Sequence, residues 1–87
     1  GAAPNPFNPS TTFRFDVPAG GGDVRLDVLD ARGRIVRTLV AGRLGEGRHE
    51  ALWNGRDDAG RRLPSGVYFA RLRAAGCREV IKVTLAG

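Results

Sequence analysis

The sequence predicts an all-β fold, an immunoglobulin-like antiparallel β-sandwich of about seven strands. Short stretches alternate between apolar and polar residues, which is typical of strands with one buried face. Glycine or proline interrupts these stretches about every eight to twelve residues, the spacing found in sandwiches and barrels. The chain has 87 residues, of which 41% are hydrophobic. That length suits one domain, and that hydrophobic fraction is too high for a disordered chain.

The domain organisation follows from the point where the alternation begins. Residues 1–10 carry three prolines, Pro4, Pro6 and Pro9. Because proline lacks a backbone donor, this segment predicts an extended lead-in that cannot join a central ladder. Residues 11–87 form the predicted sandwich domain. The expected strands, of which the fifth is a short edge segment, are residues 11–17, 23–30, 34–40, 48–54, 61–63, 67–73 and 78–86.

The first strands carry the clearest alternation. The side chains expected to point inward are aromatic or aliphatic: Phe13, Phe15, Val17, Val24, Leu26 and Val28. Arg25 and Asp27 are expected to point outward from the second strand. A tight turn from Asp30 to Gly33 leads into the third strand, whose alternation is imperfect. A helix over residues 32–41 is an alternative, but β-branched residues and the short length favour a strand.

The later strands complete the predicted core. A glycine-rich loop at residues 42–47 precedes the fourth strand, in which Ala51 and Trp53 share a face with His49. The sixth and seventh strands alternate in the same way, and their expected inward residues are Tyr68, Ala70, Leu72, Ile81, Val83 and Leu85. Strands joined by such short turns are mostly antiparallel, and these residues suffice for a two-layer core.

The charge balance suggests an anionic partner at first. Fourteen Lys and Arg residues against nine Asp and Glu give a net charge of +5, and a basic chain can bind nucleic acid or an anionic surface. The arginines, however, are expected on separate strands and turns with acidic residues among them, and aromatic residues that would stack on bases are not interleaved with them. We therefore expect a salt-bridged, solvated surface and no nucleic-acid partner, while an anionic glycolipid remains open. No stretch is long and apolar enough to cross a membrane.

The reactive side chains form no catalytic pattern. One cysteine and one histidine exclude a disulfide framework within the chain and a structural zinc site. Ser10 and Ser65 form no nucleophile–base arrangement with His49, which is expected to be partly buried or at the rim of the core. We therefore predict no enzymatic activity and no cofactor. Cys77 is expected to be a free thiol filling a small apolar site, with pairing to a second chain as the alternative.

Two features of the middle of the chain allow a functional and a structural interpretation. Asn54, Asp57 and Asp58 weakly resemble a calcium loop, but Arg56 stands where an acid is needed, and a turn whose side chains accept backbone N–H groups is favoured. No metal site is therefore predicted. Trp53 could stack on a sugar, but its position favours the core. The Tyr68 hydroxyl is expected to bond back to the backbone in a tyrosine corner.

Four segments, residues 4–12, 28–36, 53–61 and 64–69, together resemble a known family. Their order and spacing are similar to the FlgD-type Ig-like domain of flagellar hook-capping proteins and to the C-terminal sorting domains of type IX secretion substrates. The resemblance covers nearly the whole chain. The residues that carry it as a structural signature are Pro4, Asn5, Pro6, Asp30, Gly33, Trp53, Gly55, Asp58, Gly60, Gly66 and Tyr68.

This resemblance implies a non-catalytic C-terminal module of a secreted bacterial protein. Its expected role is secretion sorting or cell-surface anchoring. The expected partners are an upstream passenger domain of the parent chain and either the secretion machinery or a cell-surface component. The expected location is outside the cell or on its surface, reached through the periplasm.

Two alternatives belong to other functional classes. The module could be a structural unit of an extracellular filament or appendage, which predicts self-association through edge strands. It could also be an accessory module that binds a polysaccharide for an upstream enzyme. That last function requires Trp53 or Phe69 to be exposed.

Overall fold

The fold is a sandwich of two antiparallel β-sheets. The computed structural model describes residues 10–74 and 76–86, and within them it has six strands and no helix. The strands are β1 (Thr11–Val17), β2 (Gly22–Leu29), β3 (Ile35–Leu44), β4 (Gly47–Trp53), β5 (Gly66–Ala74) and β6 (Cys77–Leu85). The all-β, antiparallel prediction is confirmed. Pro4, Asn5, Pro6 and most of the predicted lead-in lie outside the described residues.

The two sheets differ in width. One contains β1 and β4, and the other has the order β3-β2-β5-β6. All the pairings between these strands are antiparallel. The predicted short strand at residues 61–63 is wrong, because its only ladder contact is an isolated bridge between Arg56 and Arg62. In the described part of the chain no helix is long and apolar enough to cross a membrane.

The core lies between the narrow sheet and the middle of the wide one. Its buried members come from β1, β2, β4, β5 and β6, as the alternation predicts: Phe13, Phe15, Val17, Val24, Leu26, Val28, Trp53, Tyr68, Ala70, Ala74 and Leu85. Trp53 is 1% exposed and Val28 is 0% exposed. Burial of a large apolar side chain contributes about 1.5–3 kcal/mol, so these strand faces supply most of the drive for the two sheets to pack.

Strand β3 differs most from its prediction. It extends to Leu44, so half of the expected glycine-rich loop is strand that pairs with the start of β2. Two register shifts interrupt that pairing and leave Val36 and Leu39 without a directly opposite residue on β2. Extra residues of this kind are β-bulges, and each one changes which face the following residues occupy. The bulges therefore explain why alternation in this strand is imperfect in the sequence.

The narrow sheet leaves part of the wide sheet uncovered. The two-stranded sheet is narrower than the four-stranded one. It therefore covers β6 only at the end of that strand where Leu85 is buried. Ile81 lies opposite Ala70 on the inward face, yet it is 41% exposed. Val80, on the outward face, is 56% exposed. The last strand therefore presents apolar side chains on both faces.

The depth of the core sets the first prediction. Truncation of Leu26 to alanine should lower the free energy of unfolding by about 2–5 kcal/mol, because it opens a cavity between the sheets. The measurement is urea denaturation followed by Trp53 fluorescence. Leu52, 61% exposed on β4, is the matched control, and its change to alanine should alter stability by less than about 0.5 kcal/mol. Equal losses in the two variants would contradict this placement of the core.

Candidate functional site

Trp53 and Tyr68, both part of the predicted signature, meet in the core. Their rings pack edge to face with centroids 5.5 Å apart. Trp53 Nε1 donates to the Arg56 carbonyl at 3.0 Å, and the Tyr68 hydroxyl donates to the Pro64 carbonyl at 2.7 Å. The second bond is the backbone contact that the tyrosine-corner interpretation predicts. Both rings therefore fasten an adjoining loop to the core.

A compact turn connects β2 to β3. The Asp30 carboxylate accepts the backbone N–H groups of Arg32 at 2.9 Å and Arg34 at 3.0 Å. The Asp30 N–H also donates to the Arg34 carbonyl at 2.9 Å, and the Arg34 guanidinium lies 3.5 Å from the same carboxylate. Gly33 closes the turn at a φ of 85°, in the left-handed region that favours glycine.

The same turn recurs after β4. The Asp57 carboxylate accepts the N–H groups of Ala59 at 3.0 Å and Arg61 at 2.9 Å, and Arg61 also pairs with it at 3.3 Å. Gly60 has a φ of 84°. The shared spacing, Asp followed by Gly three positions later and Arg four positions later, is visible in the sequence. The recurrence is nevertheless not among the sequence predictions, which take the two segments as unrelated turns.

The second turn is attached to the wide sheet. Asp58 accepts the Thr38 N–H through its carboxylate at 3.0 Å, and its own N–H donates to the Val36 carbonyl at 3.0 Å. Arg37 donates to the Asp57 carbonyl at 3.3 Å. Because Val36 lies at a bulge of β3, the turn satisfies backbone groups that β2 does not reach.

The three calcium candidates serve this turn. Asn54 accepts the Arg56 N–H at 3.2 Å and Asp57 accepts the Ala59 N–H at 3.0 Å, both within the turn, while Asp58 accepts the Thr38 N–H of β3 at 3.0 Å. Their oxygens are therefore directed at separate N–H donors rather than at a common point. Among the described residues, no three His, Cys, Asp or Glu side chains come together in a way that could hold a metal ion.

Asp27 is the main departure from the sequence prediction. It lies on the outward face, as predicted, but on that face it is buried, with 0% of it exposed. Its carboxylate accepts Arg25 Nε at 2.8 Å, Thr38 Oγ1 at 2.8 Å and Arg71 Nη2 at 3.3 Å. These donors come from three adjacent strands, β2, β3 and β5. Burial alone would raise the pKa of Asp27, but the three hydrogen bonds outweigh it and hold this pKa below its ordinary value.

Four other residues with functional interpretations have clear positions. Trp53 is buried and therefore cannot serve as a sugar platform, and Phe69 is only partly exposed. His49 accepts or donates a bond of 2.7 Å to the Gly45 carbonyl and stacks on Phe15. Cys77 is exposed at the start of β6. The prediction that its thiol fills an apolar site is therefore wrong, because β6 begins beyond the cover of the narrow sheet.

The last strand is the most accessible candidate for an interaction surface. β6 lies at one edge of the wide sheet, and in the described residues no strand pairs with its outer side. Its first six residues, 77–82, are all exposed. A free edge presents unpaired N–H and C=O groups, which makes it a template for a strand from another chain.

Comparisons with known proteins agree with this fold. The family model described as the FlgD Ig-like domain matches residues 5–76, which include β1 to β5. Two proteins named basal-body rod modification protein FlgD, from Salmonella typhimurium and Salmonella typhi, are each 31% identical to the chain over 75 residues. That match covers 86% of this chain but 32% of each relative, so the chain corresponds to a minor part of their length.

A solved structure gives the same result for the fold. The crystal structure of FlgD from P. aeruginosa superposes with a TM-score of 0.66 at 22% identity, over 88% of this chain and 61% of that one. The expected role as a C-terminal module for secretion sorting or surface anchoring is wrong, because the matched family and the named relatives are FlgD proteins. The type IX half of the predicted resemblance is not supported.

The two equivalent turns give the second prediction. Gly33→Ala and Gly60→Ala should each lower the free energy of unfolding by about 1–2 kcal/mol, because a Cβ at positive φ strains the backbone. A Cβ at either position would meet no atom within 4 Å, so crowding cannot cause the loss. Gly45 has equally open space and no positive φ. Gly45→Ala should therefore be neutral or stabilising by about 0.4–1 kcal/mol, and chemical denaturation of the three variants tests the contrast.

The same turns predict a loss of stability in acid. The N–H groups of Arg34 and Arg32 hold the pKa of Asp30 below its ordinary value of 3.8, and those of Arg61 and Ala59 do so for Asp57. A lowered pKa in the folded state means that the contribution is present above the ordinary value and is lost as pH falls through the folded pKa. Denaturation between neutral pH and about pH 2 should therefore show stability falling below about pH 4.

Asp30→Asn combined with Asp57→Asn should make the loss of stability below about pH 4 less steep. Repeating the measurement in about 1 M salt separates the causes, since salt screens the exposed ion pairs much more than the short hydrogen bonds. If the stability of the double variant falls as steeply in acid as that of the wild type, Asp30 and Asp57 are not the cause of the loss.

Proposed function

The chain belongs to the FlgD Ig-like domain family, and on that premise we propose that it is a non-catalytic structural module in the assembly of a flagellum-like extracellular appendage. The observation that carries the proposal is the family match across residues 5–76, together with relatives named for basal-body rod modification. The corresponding location is outside the cytoplasm, where such an appendage is assembled. The rest of the parent protein would supply the functions of the longer relatives.

The side chains support a role without chemistry. The ring nitrogen of His49 that contacts another group bonds to a backbone carbonyl. The carboxylates with lowered pKa values, Asp27, Asp30 and Asp57, all bind donors within the fold. A catalytic acid or base instead needs a free proton-transfer position near its substrate. The polar groups of this domain therefore maintain its shape.

The working surface in this proposal is the free edge of β6. Two copies can pair antiparallel through β6 about a two-fold axis at Ile81, an isologous contact. In that register Arg78 of one copy faces Thr84 of the other, and Lys82 faces Val80. No two like charges stand directly opposite, which matters because such pairs destabilise a ladder. The exposed Ile81 side chains meet at the centre and continue the inward face of the wide sheet across the contact.

Self-association through β6 gives the fourth prediction. The isolated chain should become dimeric in light scattering as its concentration rises toward about 1 mM, in the range of a weak complex. Val80→Lys should abolish this association, because the introduced ammonium group would stand opposite Lys82 of the other copy. The light scattering should be measured at about 0.15 M salt, where the Debye length is about 8 Å.

Leu52→Lys is the matched control. It adds the same charge and removes a similarly exposed apolar side chain, at 61% against 56%, but it lies on the narrow sheet. It should leave the association unchanged. A strictly monomeric wild-type chain at high concentration, or equal loss of association in both variants, would contradict the proposal.

A further inference from the structure

Three arginines stand side by side on the outward face of the wide sheet. Arg25 of β2 lies directly opposite Arg73 of β5, which lies opposite Arg78 of β6. Neighbouring strands are about 4.8 Å apart, so the guanidinium groups belong to one row across three strands. The expectation that the arginines are spread out with acids among them is wrong for this face. The sequence separates these residues, and the strand register brings them together.

The charges of this row are not balanced within the fold. Arg25 is bound to Asp27, whose carboxylate already holds two further donors. Within residues 10–74 and 76–86, Arg73 and Arg78 have no ion-pair partner. Like charges directly opposite each other destabilise a ladder. An arrangement of this kind is expected where an external anion neutralises it.

The row borders an open groove of about 560 Å³. Ala41 of β3 contributes a small side chain to its lining and Gly42 only backbone, and Asp23 is the one acidic residue among the described residues that border it. Cys77 also borders the groove, but it lies opposite the core residue Ala74, so its side chain belongs to the inward face and not to the face of the arginines.

We propose that this groove binds an acidic, extended polypeptide segment of another protein. Carboxylates are the natural partners of guanidinium groups, which bind them through two parallel N–H bonds. In an extended segment, alternate side chains are about 6.6 Å apart on one face. The arginines stand about 4.8 Å apart across the strands, and their long, flexible side chains can spread to match the wider spacing. The groove is independent of the β6 edge contact, since the arginines project from the sheet face.

The lining favours a peptide over other anions. The groove has no aromatic residue among the described residues that line it, whereas single-stranded nucleic acid is held by stacking on aromatic rings. A lipid surface is bound by apolar side chains that project into it. Here the apolar lining is recessed and small.

The test measures binding of a fluorescein-labelled peptide of about ten residues with glutamate at alternate positions, which spans about 33 Å when extended. Fluorescence anisotropy at about 0.15 M salt, where the Debye length is about 8 Å, gives the affinity. Arg73→Glu with Arg78→Glu should weaken binding at least about tenfold.

The control pair is Arg32→Glu with Arg62→Glu. Both residues are exposed, and both lie toward the opposite end of the strands from the groove. The net charge changes equally in the two double variants. The control should bind within about twofold of the wild type.

Equal weakening in the two double variants would overturn the proposal. So would groove-dependent binding of a single-stranded oligonucleotide or of phosphatidylglycerol vesicles in place of the peptide. A monomeric chain in light scattering would count against the proposed function and leave this test unaffected.

Discussion

The fold of the wide sheet depends on one buried carboxylate. Asp27 receives hydrogen bonds from Arg25, Thr38 and Arg71, and an acid without such partners would be very costly to bury. The donors stand on three adjacent strands, so only one alignment of those strands satisfies the acid. A shift of one residue would turn Asp27 toward the apolar core. The carboxylate therefore helps to select the register that hydrophobic burial alone leaves less sharply defined.

That register also determines the surfaces of the domain. With Asp27 opposite Arg71, the next outward row places Arg25 opposite Arg73, and the pairing of β5 with β6 adds Arg78 to that row. The one buried acid of this face already binds its donors, so the row stays electropositive. The narrow sheet ends before most of β6, which leaves that strand with a free edge and exposed apolar residues. Both candidate contact surfaces are therefore consequences of how the wide sheet is aligned and how much of it is covered.

The loops are held in place by hydrogen bonds within the fold. The Asp30 and Asp57 turns use the same pattern of two backbone N–H bonds, a left-handed glycine and a terminal arginine. Asp58 extends the second turn to β3, where a bulge leaves backbone groups to be satisfied. Trp53 and Tyr68 fasten the two ends of the same β4–β5 connection to the core. Many of the signature residues through which the chain resembles its family therefore hold loops to the sandwich. Because these contacts concern the fold and not the role, the signature identified the fold family but led to the wrong choice of role.

The sequence by itself determined the all-β class, the faces of β1, β2 and β5 that enter the core, and the loop contact of Tyr68, because alternation and turn residues act over short distances along the chain. Only the tertiary structure decided the burial of Asp27, the length and bulges of β3, the exposure of Cys77 and the alignment of the three arginines. Each of these depends on which residues of separate strands stand opposite one another and on how far one sheet covers the other. Alternation has a period of two and carries no information about register between strands, so these features could not be derived before the strands were paired.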